Sequence, residues 1–118
     1  MGDVIQIFTK KKFTLEEANE LLPVVKRITE QATEDIDKLA TELDLAKDED
    51  HRKNLEEKMQ KRFQDWYFQV KKLGVEAKGL WLVDFDSGEG YYCWRYPEAS
   101  VAHYHGYDEG FKNRVEVQ

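Results

Sequence analysis

Residues 79–114, GLWLVDFDSGEGYYCWRYPEASVAHYHGYDEGFKNR, decide how this chain folds. Before this stretch apolar residues recur every three or four positions. Within it they alternate with polar ones, and the change of period separates a helical region from a sheet. Residues 80–86 and 91–96 read as strands joined through Ser87-Gly88-Glu89-Gly90, where Gly88 supplies the positive φ that a type II′ hairpin turn needs at its first central position. That turn sets Ser87 opposite Gly90. Asp84 then faces Cys93 and Leu82 faces Arg95, while Phe85 pairs with Tyr92, Val83 with Trp94, and Trp81 with Tyr96. The second set is an apolar face suited to lie on helices; the first puts Asp84, Cys93 and Arg95 together on the other face.

Residues 97–100 predict a turn and 101–105 a third strand, whose register decides where the histidines go. With His103 opposite Cys93, the residues Asp84, Cys93, His103 and His105 share one surface. Slipped by one residue, Tyr104 faces Cys93 and His103 moves to the core side beside Trp94.

Upstream, Thr14 and Glu17 have the spacing of a capping box, and Glu16, Glu17 and Glu20 suit the positive end of a helix dipole. From there Leu21, Val25, Ile28, Ala32, Ile36, Leu39 and Leu43 form one apolar seam. Pro23 lies within it and predicts a bend, either a local kink or one that shapes a pocket beside Asn19 and Glu20. Residues 44–50 (DLAKDED) break the pattern and offer Asp48 or Asp50 as the next cap. A second seam, Leu55, Met59, Phe63, Trp66, Val70 and Leu73, ends at Gly74, a residue suited to a left-handed stop. A short connection makes the two helices antiparallel.

The expected fold is therefore α+β, one domain over residues 1–118. A short strand and basic linker (1–12, with the strand at 4–9) precede helix one (13–46) and helix two (48–74). A β-meander (79–106) and a loop and tail (107–118) follow. The helices form a long antiparallel hairpin, with a small antiparallel sheet of two to four strands near one end. Helix one should be about 45–50 Å long at about 1.5 Å per residue, too long for one partner helix to cover on both sides. Self-association into a four-helix arrangement is the expectation, the alternative being that the sheet covers the remaining face.

Composition excludes several classes. Charged residues make up 36% of the chain and aromatics 13%. That mixture is unlike a disordered chain, which lacks aromatics. The net charge of -6 argues against broad phosphate binding, so no nucleic-acid partner is expected despite Lys10-Lys11-Lys12. No apolar run of about 20 residues offers a membrane span. The N-terminus lacks the order of a signal peptide, and the single cysteine allows no internal disulfide, so a cytoplasmic location is expected.

Three roles compete for the residues around Cys93. Thiolate, imidazole and carboxylate together suit Zn²⁺ or Fe²⁺, although no CxxC or HExxH motif is present. A Cys93–His103 nucleophile pair needs the same strand register and a lowered thiol pKa. In the third role Cys93 is a small buried apolar residue and the histidines are ordinary strand residues. The helices lack the paired Glu-x-x-His pattern of di-iron bundles, since their one histidine, His51, falls at the helix–helix turn. Arg114 has two uses open to it, clamping an anion or pairing with Asp108 or Glu109, and a surface pair is the expectation.

FTLEEANELLP at residues 13–23, then GLWLVDFDSGEGYYCWRYPE and YHGYDEGFKNR, resemble a family of short bacterial and archaeal proteins of unknown function. Members of that family begin with an FTxEEANxLLP helix and end in a GLVDFP…CW…GE…WH…GFxGR block. The resemblance places the family pattern on Thr14, Glu17, Ala18, Asn19, Leu21, Leu22 and Pro23, then on Val83, Asp84, Phe85, Cys93, Trp94, Glu98, His105, Gly110 and Arg114. Asp86 stands where the pattern has Pro, Tyr104 where it has Trp, and Asn113 where it has Gly. Because His105 matches and His103 does not, the resemblance favours His105 with Asp84, Cys93 and Glu98.

The leading expectation is a homodimeric interaction or scaffold module that binds a protein partner, or its own second copy, through an aromatic β arm. No catalytic residue is assigned, and an enzyme is the less favoured class. The first alternative is a zinc or iron site on Asp84, Cys93 and His105, with Glu98 and His103 as further candidate ligands. The second is a small-molecule pocket made by Trp81, Trp94, Tyr96 and Arg114.

Overall fold

The computed structural model describes residues 12–117, so the strand expected at 4–9 lies outside the described residues. Two long helices come first, α1 (Leu15–Leu45) and α2 (Glu49–Lys72). Five strands follow: β1 (Glu76–Gly79), β2 (Leu82–Asp86), β3 (Gly90–Arg95), β4 (His103–Gly106) and β5 (Val115–Glu116), with a 3₁₀ turn at Phe111–Asn113. The strands lie in the sheet in chain order, each antiparallel to the next. The fold class is thus α+β with a helical hairpin, as expected. None of the described helices is long and apolar enough to cross a membrane.

α1 starts where the capping box predicts. The Thr14 hydroxyl accepts from the Glu17 amide at 3.0 Å, and Glu17 accepts from the Thr14 amide at 2.9 Å. The helix continues through Pro23 to Leu45, burying Ala18, Leu22, Val25, Thr29 and Ala32 along one stripe. In α2, Asp48 caps the first turn by accepting from the His51 amide, and Leu55, Trp66 and Val70 are buried. Thr29 is the one polar residue in the buried α1 stripe, and the Trp66 indole N–H donates to its hydroxyl at 2.9 Å. That bond satisfies both groups in the interior. At the far end of the hairpin Arg52 closes the α1 C-terminus by donating to the carbonyls of Leu43 and Ala46. Gly74 ends the second helix with φ 85°, as the sequence predicts.

Among the described residues the sheet has five strands where two to four were expected. β1 falls largely in the four residues left unassigned between the second helix and the expected meander, and β5 is two residues long with no period to betray it. The second strand begins at Leu82 and not at residue 80, because Trp81 turns left-handed with φ 61°. That conformation costs about 1–3 kcal/mol for a non-glycine residue. It aims the Trp81 ring at Trp66, 5.0 Å between centroids, and at Phe63, 6.0 Å away. The aromatic packing offsets the cost. The third strand is likewise displaced, to His103–Gly106 from the expected 101–105.

The core lies between the helices and one face of the sheet. Val83, Phe85 and Trp94 from β2 and β3 join Phe13, Leu22, Val25, Trp66 and Val70 in a single buried cluster. The loop after β3 is pinned to α1 by Asn19, whose amide accepts from the Val101 N–H at 2.9 Å and donates to the Val101 carbonyl at 3.0 Å. This is what lies beside Pro23: the Asn19 side chain is taken up in docking a loop. Replacing Asn19 by Ala strands both Val101 backbone groups and should cost about 2–3 kcal/mol in chemical denaturation. An unchanged midpoint would show that water replaces the clamp.

Candidate metal centre

The outer face of the sheet, away from the helices, is built by the registers of β2, β3 and β4. Asp84 pairs with Cys93 and Cys93 with His103, while Tyr91 pairs with His105. Of the two registers open in the sequence, the one that keeps His103 opposite Cys93 is adopted. Gly90 is needed for it: a Cβ there would lie 2.2 Å from the Tyr104 hydroxyl and 2.8 Å from the His105 carbonyl oxygen. The hairpin turn is held by Asp86, which accepts from the Gly88 amide at 2.8 Å and from the Tyr107 hydroxyl at 2.6 Å. Asp86 thereby ties the turn to the tail at the position where the family pattern has proline.

Asp84, Cys93 and His105 are all buried, and one ligating atom of each lies within 4.8 Å of the other two. His105 Nε2 stands 3.0 and 3.1 Å from the two Asp84 carboxylate oxygens. Its Nδ1 lies 2.9 Å from the Gly106 carbonyl oxygen. A carbonyl oxygen can only accept, so Nδ1 carries a proton. In the neutral ring Nε2 then presents a lone pair towards a carboxylate that also presents lone pairs. A proton shared between the ring and the carboxyl, or a metal ion in its place, relieves the clash of lone pairs. An Nδ1–H held by a backbone carbonyl is also the arrangement that fixes a metal-binding imidazole for ligation through Nε2.

The electrostatics show a site that resists its own charges. Burial pushes the Asp84 carboxyl up, more than the His105 contacts pull it down. Burial, and then the negative charge of Asp84, push the Cys93 thiol up to about 12, with Arg114 pulling the other way. A thiol in that range is protonated at neutral pH, whereas a Cys93–His103 nucleophile pair needs a lowered one. A divalent cation held at the cluster would reverse this logic, displacing the thiol proton and compensating both anions.

Glu98 is engaged by Arg114, at 3.0 Å from Nη1 and 2.5 Å from Nη2, and accepts from the Arg95 amide at 2.8 Å. Burial alone would raise the Glu98 carboxyl, but these donors outweigh it and hold it below the usual range. Arg114 therefore pairs with Glu98 instead of the expected Asp108 or Glu109. His103 shares the outer face but is not part of the three-residue cluster. Trp81, Trp94, Tyr96 and Arg114 do not form a common pocket. Trp81 and Trp94 belong to the helix side, with Tyr96 6.1 Å from Trp94, whereas Arg114 reaches Cys93 on the outer face.

Beside the cluster is a cleft of about 300 Å³, lined among others by Lys78, Tyr91, Tyr107, Glu109 and Phe111. Sequence reasoning missed these residues. Tyr91 was recoverable, since it shares strand parity with Cys93. Lys78 falls between the second helix and the expected meander and the rest in an aperiodic tail, so neither carried a signal.

A carboxyl raised by folding binds its proton more tightly in the native state than in the unfolded one. It therefore withdraws stability as pH rises from the usual carboxylate range through its folded pKa, and the loss persists at neutral pH. Asp84→Asn removes this cost and lets an amide N–H donate to His105 Nε2. The metal-free variant should melt at a higher temperature than the metal-free parent at pH 7. A lower melting temperature would mean that the His105–Asp84 pair stabilises the fold.

No curated protein and no solved structure shows significant similarity to the chain. The chain matches the DUF2203 family, described as uncharacterized conserved proteins, over residues 11–117, and it belongs to that family.

Proposed function

We propose that the protein binds a single transition-metal ion, zinc first and ferrous iron second, through Asp84, Cys93 and His105. The observation that carries this reading is the pair of contacts made by His105: its Nδ1–H is committed to a carbonyl, and its Nε2 is aimed at a buried carboxylate beside a buried thiol. Three protein ligands of mixed sulfur, nitrogen and oxygen type leave one position of a tetrahedral ion free. The neighbouring cleft supplies a route for a fourth, exogenous ligand. An ion with an open position can polarise a bound oxygen or lower the pKa of a bound water, so the site has the makings of a Lewis-acid centre.

The test is metal analysis of protein purified without a histidine tag, loaded with Zn²⁺ and dialysed. One ion per chain is expected in the parent, and loss of it in both Cys93→Ser and His105→Ala. Metal absent from the parent, or retained by both variants, would remove the reading.

Self-association is a second reading, and what favours it is an aromatic pair on α2. Tyr67 and Phe68 stack edge-on at 5.8 Å and remain 41% and 55% exposed, respectively. Trp94 and Phe85 of the β arm, by contrast, are completely buried, and Tyr91, Tyr92, Tyr96 and Tyr104 are partly so. A homodimer would therefore use the helix face. Light scattering should give twice the chain mass for the parent and the single mass for Phe68→Glu; a monomeric parent at all concentrations would exclude it.

A further inference from the structure

The tail after β4 brings Arg114 to the sulfur of Cys93, and the guanidinium is held from several directions when it arrives. Both Nη atoms bind Glu98, at 3.0 and 2.5 Å, and the guanidinium carbon lies 4.1 Å from the centre of the Phe111 ring. Glu98 is itself anchored by the Arg95 amide. A planar fork clamped by a carboxylate and stacked on an aromatic ring has little freedom to turn, so its remaining N–H groups point where the clamp directs them. Nη1 stands 3.9 Å from Cys93 Sγ. The Arg114 and Glu98 side chains are only 15% and 26% exposed. An ordinary surface ion pair is far more open to solvent and holds its geometry less firmly.

Resting on the metal reading above, we propose that Arg114 is the positioning residue for the Cys93 ligand, and that the tail carrying it is a clasp which metal loading tightens. When an ion binds, the thiol proton passes to solvent and the sulfur becomes anionic, so the nearby guanidinium gains a charged acceptor. By thermodynamic reciprocity, a docked Arg114 raises metal affinity as much as bound metal favours docking. The same tail supplies Tyr107, Glu109, Gly110 and Phe111 to the cleft wall, so clasp closure also shapes access to the ion's open position. Other attachments do not involve the sulfur, among them the Tyr107 hydroxyl on Asp86, the Val117 amide on the Ala102 carbonyl and the pairing of β5 with β4, and these keep the tail nearby when the clasp is loose.

Cobalt-substituted protein tests this, because the near-ultraviolet thiolate-to-cobalt charge-transfer band responds to hydrogen bonding at sulfur. In Arg114→Gln the band should move to longer wavelength. Cobalt affinity in competition with a chelator should fall about 10- to 100-fold, the usual cost of losing an outer partner of a ligand. Arg114→Lys, which keeps the charge, should recover part of both. Zinc loading should slow amide exchange across residues 107–117 in the parent but not in Arg114→Gln. A parent band with the same position and affinity in Arg114→Gln would overturn the proposal and leave the metal site standing. Failure of the parent to bind cobalt or to show a thiolate band would overturn both.

Discussion

The two-residue period of the sheet is the constraint on which everything else rests. Residues directly opposite each other in neighbouring strands share a face. The pairings Val83–Trp94 and Asp84–Cys93 therefore send an apolar row to the helices and a polar one away from them. A slip of one residue in either hairpin would bury Asp84 against Val25 and Trp66 or carry His105 away from it. Both hairpins are guarded against slipping, the first by the Gly88 turn with Asp86 as its brace, the second by the close approach that only Gly90 allows. The core and the candidate centre are therefore fixed together: the contacts that bury Trp94 also place Cys93.

By the standards of stability alone, the outer face is costly. A buried carboxylate, a buried thiol and a buried imidazole face one another where an apolar layer would pack without desolvation cost. Asp84 and Cys93 are both shifted towards their protonated forms. Such shifts are expected of groups held together for a reason other than packing. The tail adds a second layer, with the Arg114–Glu98 pair over the sulfur and the Phe111 ring beneath the guanidinium. The helical hairpin is then the platform, and the sheet is a holder that presents three unlike side chains from β2, β3 and β4.

Much of the fold was legible because its signals are local and periodic. The capping box at Thr14 and Glu17, the stop at Gly74 and the Gly88 turn each depend on a few adjacent residues, and the β2–β3 register followed from the turn. The site was half legible. Parity brought Asp84 and Cys93 together, and the family pattern singled out His105, but the choice of β4 register needed the Gly90–Tyr104 approach, which no periodicity encodes. The remaining differences share one physical origin, in that long-range contacts override local pattern. Trp81 accepts an unfavourable φ to reach Trp66, and β1 pairs largely within residues left unassigned. Asn19 is used 82 residues away at Val101, and Arg114 passes over its acidic neighbours for Glu98.

The central claim is that one ion is shared by a carboxylate, a thiolate and an imidazole, and X-ray absorption at the zinc edge of the loaded protein addresses it most directly. The predicted result is a first shell with a single sulfur scatterer, the rest nitrogen or oxygen, and the outer-shell signature of one imidazole. A shell without sulfur, or one without imidazole, would contradict it.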